Sequence, residues 1–258
     1  MIEVKQAFET QLQQGLERLL QDLQAVEKAN AVYHPTPFTS LLLDGCLEKG
    51  YCSTAGGARY NFSGIQCVGP ADAGDSLYAI GRAVFRDHKL SLPDLVRQLQ
   101  QNLPDSSLAA HLNNLPKYGN DFAEADDYTR YVIETFSGIL QGKKNTRGGT
   151  YTTGVYSVTA HNYFGKVTGA LPSGRRKGGP FASGLAPSNG RDRKGPTGLL
   201  NSVNRTPCLI RDNHCWTGEK IRCRSSTNMF NGPMAMPKTR LQWCMIPCGT
   251  EHGEWRKP

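Results

Sequence analysis

Apolar residues recur at helical spacing through the first 140 residues of this chain and at no sustained spacing after Arg205. A chain buries a core only where its apolar side chains share a face, so the contrast confines the folded body to the residues before that point. The clearest stripe is Phe8, Leu12, Leu16, Leu19, Leu23 and Val26, with Gln, Glu, Lys and Arg between them. It predicts an amphipathic helix over residues 2–29 that packs one face onto a larger body. His34-Pro35-Thr36-Pro37 ends it, because proline and the residue before it both resist helix. A second helical pattern runs from Asp75 to Phe85 through Leu77, Ile80, Ala83 and Val84, with Asp75 and Ser76 as caps. Ser91-Leu92-Pro93-Asp94 opens another, striped by Leu92, Leu95, Val96, Leu99 and Leu103. Asp126 to Leu140 carries a third, with Tyr128, Tyr131, Val132, Thr135, Phe136 and Ile139 as its apolar set.

Other segments lack this period. Ser40 to Leu47 is short and mostly apolar, and the glycine-rich stretch from Gly50 to Gly69 reads as loop. Thr150 to His161 is rich in Thr, Tyr and Val, which suits an extended strand. Lys166 to Pro196 is dominated by Gly, Pro, Ser and Arg, and so long a connection is either functional or disordered. Helices followed by strand and long loops make an α/β chain. Two parts are expected: residues 1–205 as one body and residues 206–258 as an irregular C-terminal tail. The tail holds five of the 8 cysteines, all 3 tryptophans and four of the 5 methionines, yet no Val or Tyr. Enrichment in rare residues with loss of periodicity is what an out-of-frame translation resembles, so a frameshift or truncation near Arg205 is expected.

Charge and hydropathy exclude some classes. No run approaches the roughly 18 apolar residues that a membrane span needs, so no membrane partner is expected. The opening residues, MIEVKQAFETQLQQ, lack the basic start and apolar core of a secretory signal, which predicts a cytoplasmic location. The net charge of +8 permits an anionic partner without identifying one. Arg175, Arg176 and Lys177, with Arg191, Arg193 and Lys194, stand among glycines and could track phosphates. The plainer reading is a solvated loop, since no interleaved aromatics offer a stacking platform, and nucleic acid is not expected as a partner. His214, Cys215, Cys223, Cys244 and Cys248 invite a zinc reading, but only the last pair approaches ligand spacing, so no metal is expected. Cys46 and His161 stand in no recognised nucleophile frame, and an isolated cysteine is usually a small buried hydrophobe. No P-loop or dinucleotide-binding fingerprint is present.

Four ordered segments nonetheless form a pattern. The first is Phe38 to Gly50, with Asp44-Gly45-Cys46-Leu47-Glu48 at its centre, running into Gly56-Gly57-Ala58-Arg59-Tyr60-Asn61-Phe62-Ser63-Gly64 and then Ala71-Asp72 with Asp75-Ser76-Leu77. The second is Lys117-Tyr118-Gly119-Asn120-Asp121 with Ala125-Asp126. The third is Tyr156-Ser157-Val158-Thr159-Ala160-His161, continuing through Gly169-Ala170-Leu171-Pro172-Ser173-Gly174-Arg175. The fourth is Gly195-Pro196-Thr197 leading to Leu200 and Ser202-Val203. Together they resemble the glycyl radical enzymes of the pyruvate formate-lyase superfamily, in the glycerol and diol dehydratase-like branch, over most of residues 35–205.

The resemblance implies a fold: part of a ten-stranded α/β barrel with surrounding helices. It implies that Gly56, Gly57 and Gly64 serve backbone approach in loops, that Arg59, Tyr60, Asn61, Ser157 and His161 line or brace the barrel, and that Arg175, after Gly174 in a family loop motif, fixes a loop by ion pairing. It also implies chemistry. In the intact family a radical S-adenosylmethionine activating enzyme with a [4Fe-4S] cluster makes a glycyl radical, a cysteine becomes a thiyl, and a small substrate loses water or a carbon fragment. The family's Arg-Val-x-Gly-Tyr motif is missing here, the only Gly-Tyr pair being Gly50-Tyr51. Gly45-Cys46-Leu47-Glu48 mimics the thiyl motif in the wrong context, so Cys46 is not expected to be that residue. No catalytic residue is assigned, and no cofactor is expected on this chain itself. The expected partners are the activating enzyme and, as in the intact family, further copies of the chain. The leading expectation is therefore an inactive interior fragment of a lyase. An alternative of another class is a non-catalytic module that docks onto a full-length relative or its activating enzyme.

Overall fold

A computed structural model describes residues 1–206. The predicted first helix is present as α1 (Ile2–Tyr33), which stops at His34 before Pro35. Its inward stripe is Leu12, Leu16, Leu20 and Leu23, while Leu19 and Val26 point to solvent, so the buried face is turned by one residue from the expected one. Two short helices follow, α2 (Pro37–Leu41) and α3 (Cys46–Lys49), then a turn of 3-10 helix at Ser53–Ala55. The stretch expected to be all loop contains a strand, β1 (Ser63–Gln66). Ser-Gly-Ile-Gln has little strand preference of its own. Its extension is imposed by a distant partner, β2 (Tyr151–Gly154), with which it pairs in parallel from Ser63 opposite Tyr151 to Gln66 opposite Gly154.

Between the strands lie four helices. The predicted helix at 75–85 begins earlier, as α4 (Pro70–Ile80), because Gly69 takes a φ of 72° and Pro70 is pre-set for a first turn. Asp75 and Ser76, expected as caps, are instead buried inside the helix, and a wider π-type turn at Gly81–Arg86 continues it. α5 (Leu92–Gln100) opens where expected, the Ser91 hydroxyl capping it by accepting from the Asp94 amide. α6 (Ser106–Asn114) has Asp105 as its cap, and α7 (Ala123–Leu140) covers the third predicted helix. After β2 the expected strand is cut short, since β1 has turned away at Gly69 and offers no partner beyond Gln66. Ala160–Val167 forms α8 instead, which places His161 in a helix, and Gly195–Arg205 forms α9.

α7 is shared by two cores. Ala125 at its start joins Tyr78, Ala83, Leu95, Leu103 and Leu112 from the α4 to α6 region. Ile133, Phe136 and Leu140 further along meet Leu16 and Leu20 of α1 and Ile65, Cys67, Tyr151 and Val155 around the strands. α4 packs closely on α7, where Gly74 lies against the backbone of Thr129. The architecture is α/β, with two parallel strands among the described residues.

This contact gives a test. A Cβ on Gly74 would stand 2.6 Å from the Thr129 Cα and 2.3 Å from its Oγ1, so one helix must shift. Gly74→Ala is expected to lose about 2 kcal/mol through overpacking. Gly138→Ala on α7, which meets nothing within 4 Å, should instead gain about 0.5 kcal/mol of helix propensity. Paired denaturation curves read by circular dichroism check both signs.

Candidate functional site

The densest collection of buried charge lies where α4, the segment 117–121, α7, α9 and the long loop 168–194 converge. Asp72 and Asp75 stand one turn apart on α4, and both are buried. Asp72 accepts from the Ala182 amide at 2.6 Å and the Ser188 hydroxyl at 3.1 Å, while Asp75 accepts from the Tyr118 amide at 2.8 Å. Burial pushes both carboxyls above their usual range; the Ala182 amide opposes the shift at Asp72, and the charge of Lys117 opposes it at Asp75. Lys117 is itself buried, donates to the Leu112 carbonyl at 2.8 Å, and is held below the usual ammonium range by desolvation.

Asp126 on α7 is fully buried and accepts from the Ser202 hydroxyl at 2.9 Å, from Arg205 Nη1 at 2.7 Å and from the Gly119 amide at 3.3 Å. Arg205 also bridges Asp121 at 2.7 Å, and Asn201 donates to the same carboxylate at 2.9 Å. Asn120 ties the segment to the loop: its Nδ2 donates to the Arg191 carbonyl at 2.8 Å and its Oδ1 accepts from the Arg193 amide at 2.8 Å. Each carboxylate is thus met by backbone amides, hydroxyls or a guanidinium, which is what a buried charge requires. Two surface depressions lie elsewhere, one bordered by Glu17, Gln21 and Lys143, the other by Lys89, Arg97 and Asp105. The cluster is a framework that orders the long loop, and none of its residues lines either depression.

The nine positions singled out from sequence fall around this seam rather than in it. Gly56, Gly57 and Asn61 gather near the loop 145–149: Asn61 Nδ2 donates to the Ala58 carbonyl at 2.8 Å, and its own carbonyl accepts from Asn145. An added Cβ on Gly56 would stand 2.8 Å from the Arg147 carbonyl oxygen, and one on Gly57 1.9 Å from that of Tyr51, which explains both glycines. Arg59 is exposed, bonded to Asp44 at 3.2 Å and set 5.6 Å from the centre of the Tyr60 ring. Ser157 is exposed, and its amide lies 3.0 Å from where a Cβ on Gly184 would stand. His161 Nδ1 bonds the Val158 carbonyl, and the His161 carbonyl accepts from the Phe181 amide at 3.2 Å. Gly174, at a φ of 91°, packs on Asn113.

Arg175 reaches the carbonyls of Gly165 at 3.2 Å and Thr168 at 3.2 Å and covers the Phe181 ring at 4.6 Å. Loop fixing by this residue runs through carbonyls and a ring face, with Asp72 acting only as a nearby charge. Arg176 Nη2 donates to the Leu103 carbonyl at 3.2 Å and Arg191 turns inward to Asn113 Oδ1 at 2.5 Å, so three of the basic-loop cations are engaged internally. The long loop is irregular but anchored. Asp72, Asp75, Lys117, Asn120 and Asp126 stand in the segments that carry the resemblance but were given no site role, and Arg205 was marked only as the point where the pattern ends.

Among the thiols, Cys46 is buried in α3, and burial pushes the Cys67 thiol up to about 12. Among the described residues no three His, Cys, Asp or Glu side chains come together as a metal site, and no helix is long and apolar enough to cross a membrane. The tail residues His214, Cys215, Cys223, Cys244 and Cys248, and the expected frameshift segment, lie outside the described residues.

Two predictions follow from these bonds. Asp126→Ala would strip three bonds and leave Arg205 without its buried partner, for a loss of about 3 kcal/mol and much faster amide exchange through α9. Asp127→Ala, which breaks only an exposed pair with Arg130, should cost under about 0.5 kcal/mol. The second concerns Glu27 on α1, which braces Ser63 and Thr146. Burial pushes its carboxyl up, but the bonds from Ser63 and Thr146 and the charge of Arg147 outweigh that and hold it below the usual range. A lowered folded value means stability that is present above the ordinary carboxyl range and lost as pH falls through the folded value. Urea midpoints should therefore fall more on acidification for the native chain than for Glu27→Gln.

Comparison with known proteins supplies the rest. A family model described as pyruvate formate lyase-like matches residues 1–165. The chain is 34% identical over 202 residues to trans-4-hydroxy-L-proline dehydratase of Clostridioides difficile, covering 78% of this chain and 26% of that protein. It is 30% identical over 218 residues to (2S)-3-sulfopropanediol dehydratase of Klebsiella oxytoca, covering 82% and 26%. Its fold superposes on the glycerol-bound B12-independent glycerol dehydratase from Clostridium butyricum with a TM-score of 0.76 and 37% identity, over 80% of this chain and 26% of that one. A glycyl radical enzyme from Archaeoglobus fulgidus matches with a TM-score of 0.75 and 39% identity, over 78% and 26%. The chain spans about a quarter of the length of the relatives it matches.

Proposed function

The chain belongs to the pyruvate formate lyase-like family, and from that premise we propose that it is the scaffold portion of a glycyl radical dehydratase, a lyase that removes water from a vicinal diol or a similar small hydroxylated substrate. The observation that carries this reading is the fold match to the glycerol dehydratase at 37% identity over 80% of this chain. The parallel pair β1–β2 is then two strands of the family's ten-stranded barrel, and the helices α4 to α7 are part of its wrapping.

The intact family's reaction uses a glycyl radical, installed by a radical S-adenosylmethionine enzyme with a [4Fe-4S] cluster, to start hydrogen abstraction inside a closed barrel. What this chain's own residues supply is order. Asp72 and Asp126 hold the loop 182–188 and α9 against α4 and α7, and Asn120 closes the loop at 191–194. Loops held this firmly can wall a site from water, the condition under which a carbon radical survives. Cys46 is not the thiyl residue in this reading: it is buried in α3 beside Gly45, whose Cβ position is crowded by the Arg59 amide at 2.9 Å. The reacting cysteine and glycine would come from polypeptide outside residues 35–205. The 258-residue chain alone is inactive, and it works in the cytoplasm, where an activating enzyme and further copies of the same enzyme are its partners.

Two assays test this. The chain alone, treated anaerobically with a dehydratase activating enzyme, should show no glycyl doublet by electron paramagnetic resonance and no turnover of glycerol, propane-1,2-diol or trans-4-hydroxyproline. Residues 1–205, exchanged for the matching quarter of the glycerol dehydratase, should give a chimera that still forms the doublet and dehydrates a diol. A folded chimera without either property would overturn the scaffold reading.

A further inference from the structure

The Ser188 hydroxyl stands between two buried carboxylates and can serve only one of them. It lies 3.1 Å from Asp72 Oδ1 and 3.5 Å from Asp75 Oδ2. A hydroxyl carries a single hydrogen, and the shorter distance gives it to Asp72. The other oxygens of the pair are already supplied, Asp72 Oδ2 by the Ala182 amide at 2.6 Å and Asp75 Oδ1 by the Tyr118 amide at 2.8 Å. Asp75 Oδ2 is thus left opposite a lone pair of Ser188 Oγ, acceptor against acceptor, on a side chain with no exposure to water. A proton on Asp75 Oδ2 removes the conflict: the acid hydroxyl turns to the Ser188 oxygen, and Ser188 keeps its own hydrogen on Asp72.

The charges around the pair divide in the same way. Arg175 of the long loop favours a charged Asp72, as does Asp72's own backbone amide. Lys117, from the segment 117–121, acts on Asp75 through its charge, but it directs its Nζ to the Leu112 carbonyl at 2.8 Å and is itself opposed by Arg191 of the loop. Tyr118 feels both Asp75 and Asp126 of α7 and stays neutral, since burial raises its phenol. Asp126 is turned to Ser202 and Arg205. We infer that Asp75 is held as a neutral carboxylic acid, and that its one proton latches the loop 182–188 to α4 through the chain Asp75, Ser188, Asp72. Burial pushes the Asp75 carboxyl up to about 7; the charge of Asp72 adds to the rise, and Lys117 and the Tyr118 amide oppose it. A raised acid stabilises the fold fully below its ordinary value of about 4, and that contribution is lost as pH climbs to the folded value, because the released carboxyl gives up its proton at lower pH. The latch therefore loosens on alkalinisation, the reverse of the response expected of Glu27.

The test is hydrogen exchange read by mass spectrometry on the 258-residue chain from about pH 5 to about pH 8, corrected for the intrinsic pH dependence of exchange. Relative to α5, peptides across 180–194 are expected to lose protection by about tenfold per pH unit up to about pH 7 and to level off above it. Asp75→Asn copies the neutral acid, since its carbonyl accepts from Tyr118 and its amide donates to Ser188. This variant should keep the protection seen at about pH 5 and lose the pH dependence. Asp72→Asn cannot accept on both of its terminal atoms and should lose loop protection on the order of tenfold at every pH. Loop protection in the native chain that is level across the window would overturn the proposal. Loosening of the loop by Asp75→Asn at about pH 5 would assign Asp75 a charge that serves Lys117, and would overturn it equally. A readout that needs no variant is the native chain's own aspartate carboxyl carbons, followed by NMR titration. One of them should still be protonated above about pH 5, and a set that has wholly ionised by then would defeat the latch.

Discussion

Three carboxylates that water cannot reach hold this structure together. Asp72, Asp75 and Asp126 would each be a liability in a low-dielectric interior, and each becomes useful because a backbone amide, a hydroxyl or a guanidinium meets it. The pieces they hold are those with least means of ordering themselves. The loop 168–194 has no regular element and few apolar anchors, so its position relative to α4 is set by Asp72 reaching Ala182 and Ser188. α9 likewise has only Gly198 and Ser202 buried, and its attachment to α7 runs through Asp126 and Arg205. Apolar burial assembles α1, α4, α5, α6 and α7; after β2 apolar contacts thin to Val155, Ala170, Ala182 and Leu185, and polar bonds carry most of the attachment.

That division explains what could be read from the residues in order. Elements stabilised by their own apolar stripe were legible: α1, the start of α5 and the body of α7 were all expected near their observed bounds. The stripe of α1 was assigned to Leu19 where the buried residue is Leu20, because both fit a period near 3.6 and only the partner decides between them. Elements stabilised from a distance were not legible. β1 is Ser-Gly-Ile-Gln, an unremarkable loop until Tyr151 to Gly154 pairs with it. Asp75 and Ser76 looked like caps because a polar residue before an apolar run usually is one, and nothing local announces a buried aspartate. The family resemblance located the segments that converge on the seam, while the residues singled out within them lay mostly at its periphery.

The comparisons and the physical structure give one account of size. A chain that spans about a quarter of its relatives yet superposes on them closely keeps two cores, a continuous helical spine in α7 and a parallel strand pair. It also leaves Phe38, Leu41, Leu42 and Leu47 exposed around a buried and hydrogen-bonded Ser40.

The strand pair also carries a consequence in time. Ser63 must find Tyr151, so β1 leaves the ribosome about 90 residues before its partner exists, a wait of roughly 4 to 18 seconds at ordinary rates of synthesis. During that interval α4 to α7 can form and close on one another, because their contacts are mostly among themselves. The sheet can close only once Tyr151 to Gly154 has emerged, after the helices between the strands have had time to fold. Translation speed across residues 67–150 sets how long a bare strand edge stays open to the wrong partner.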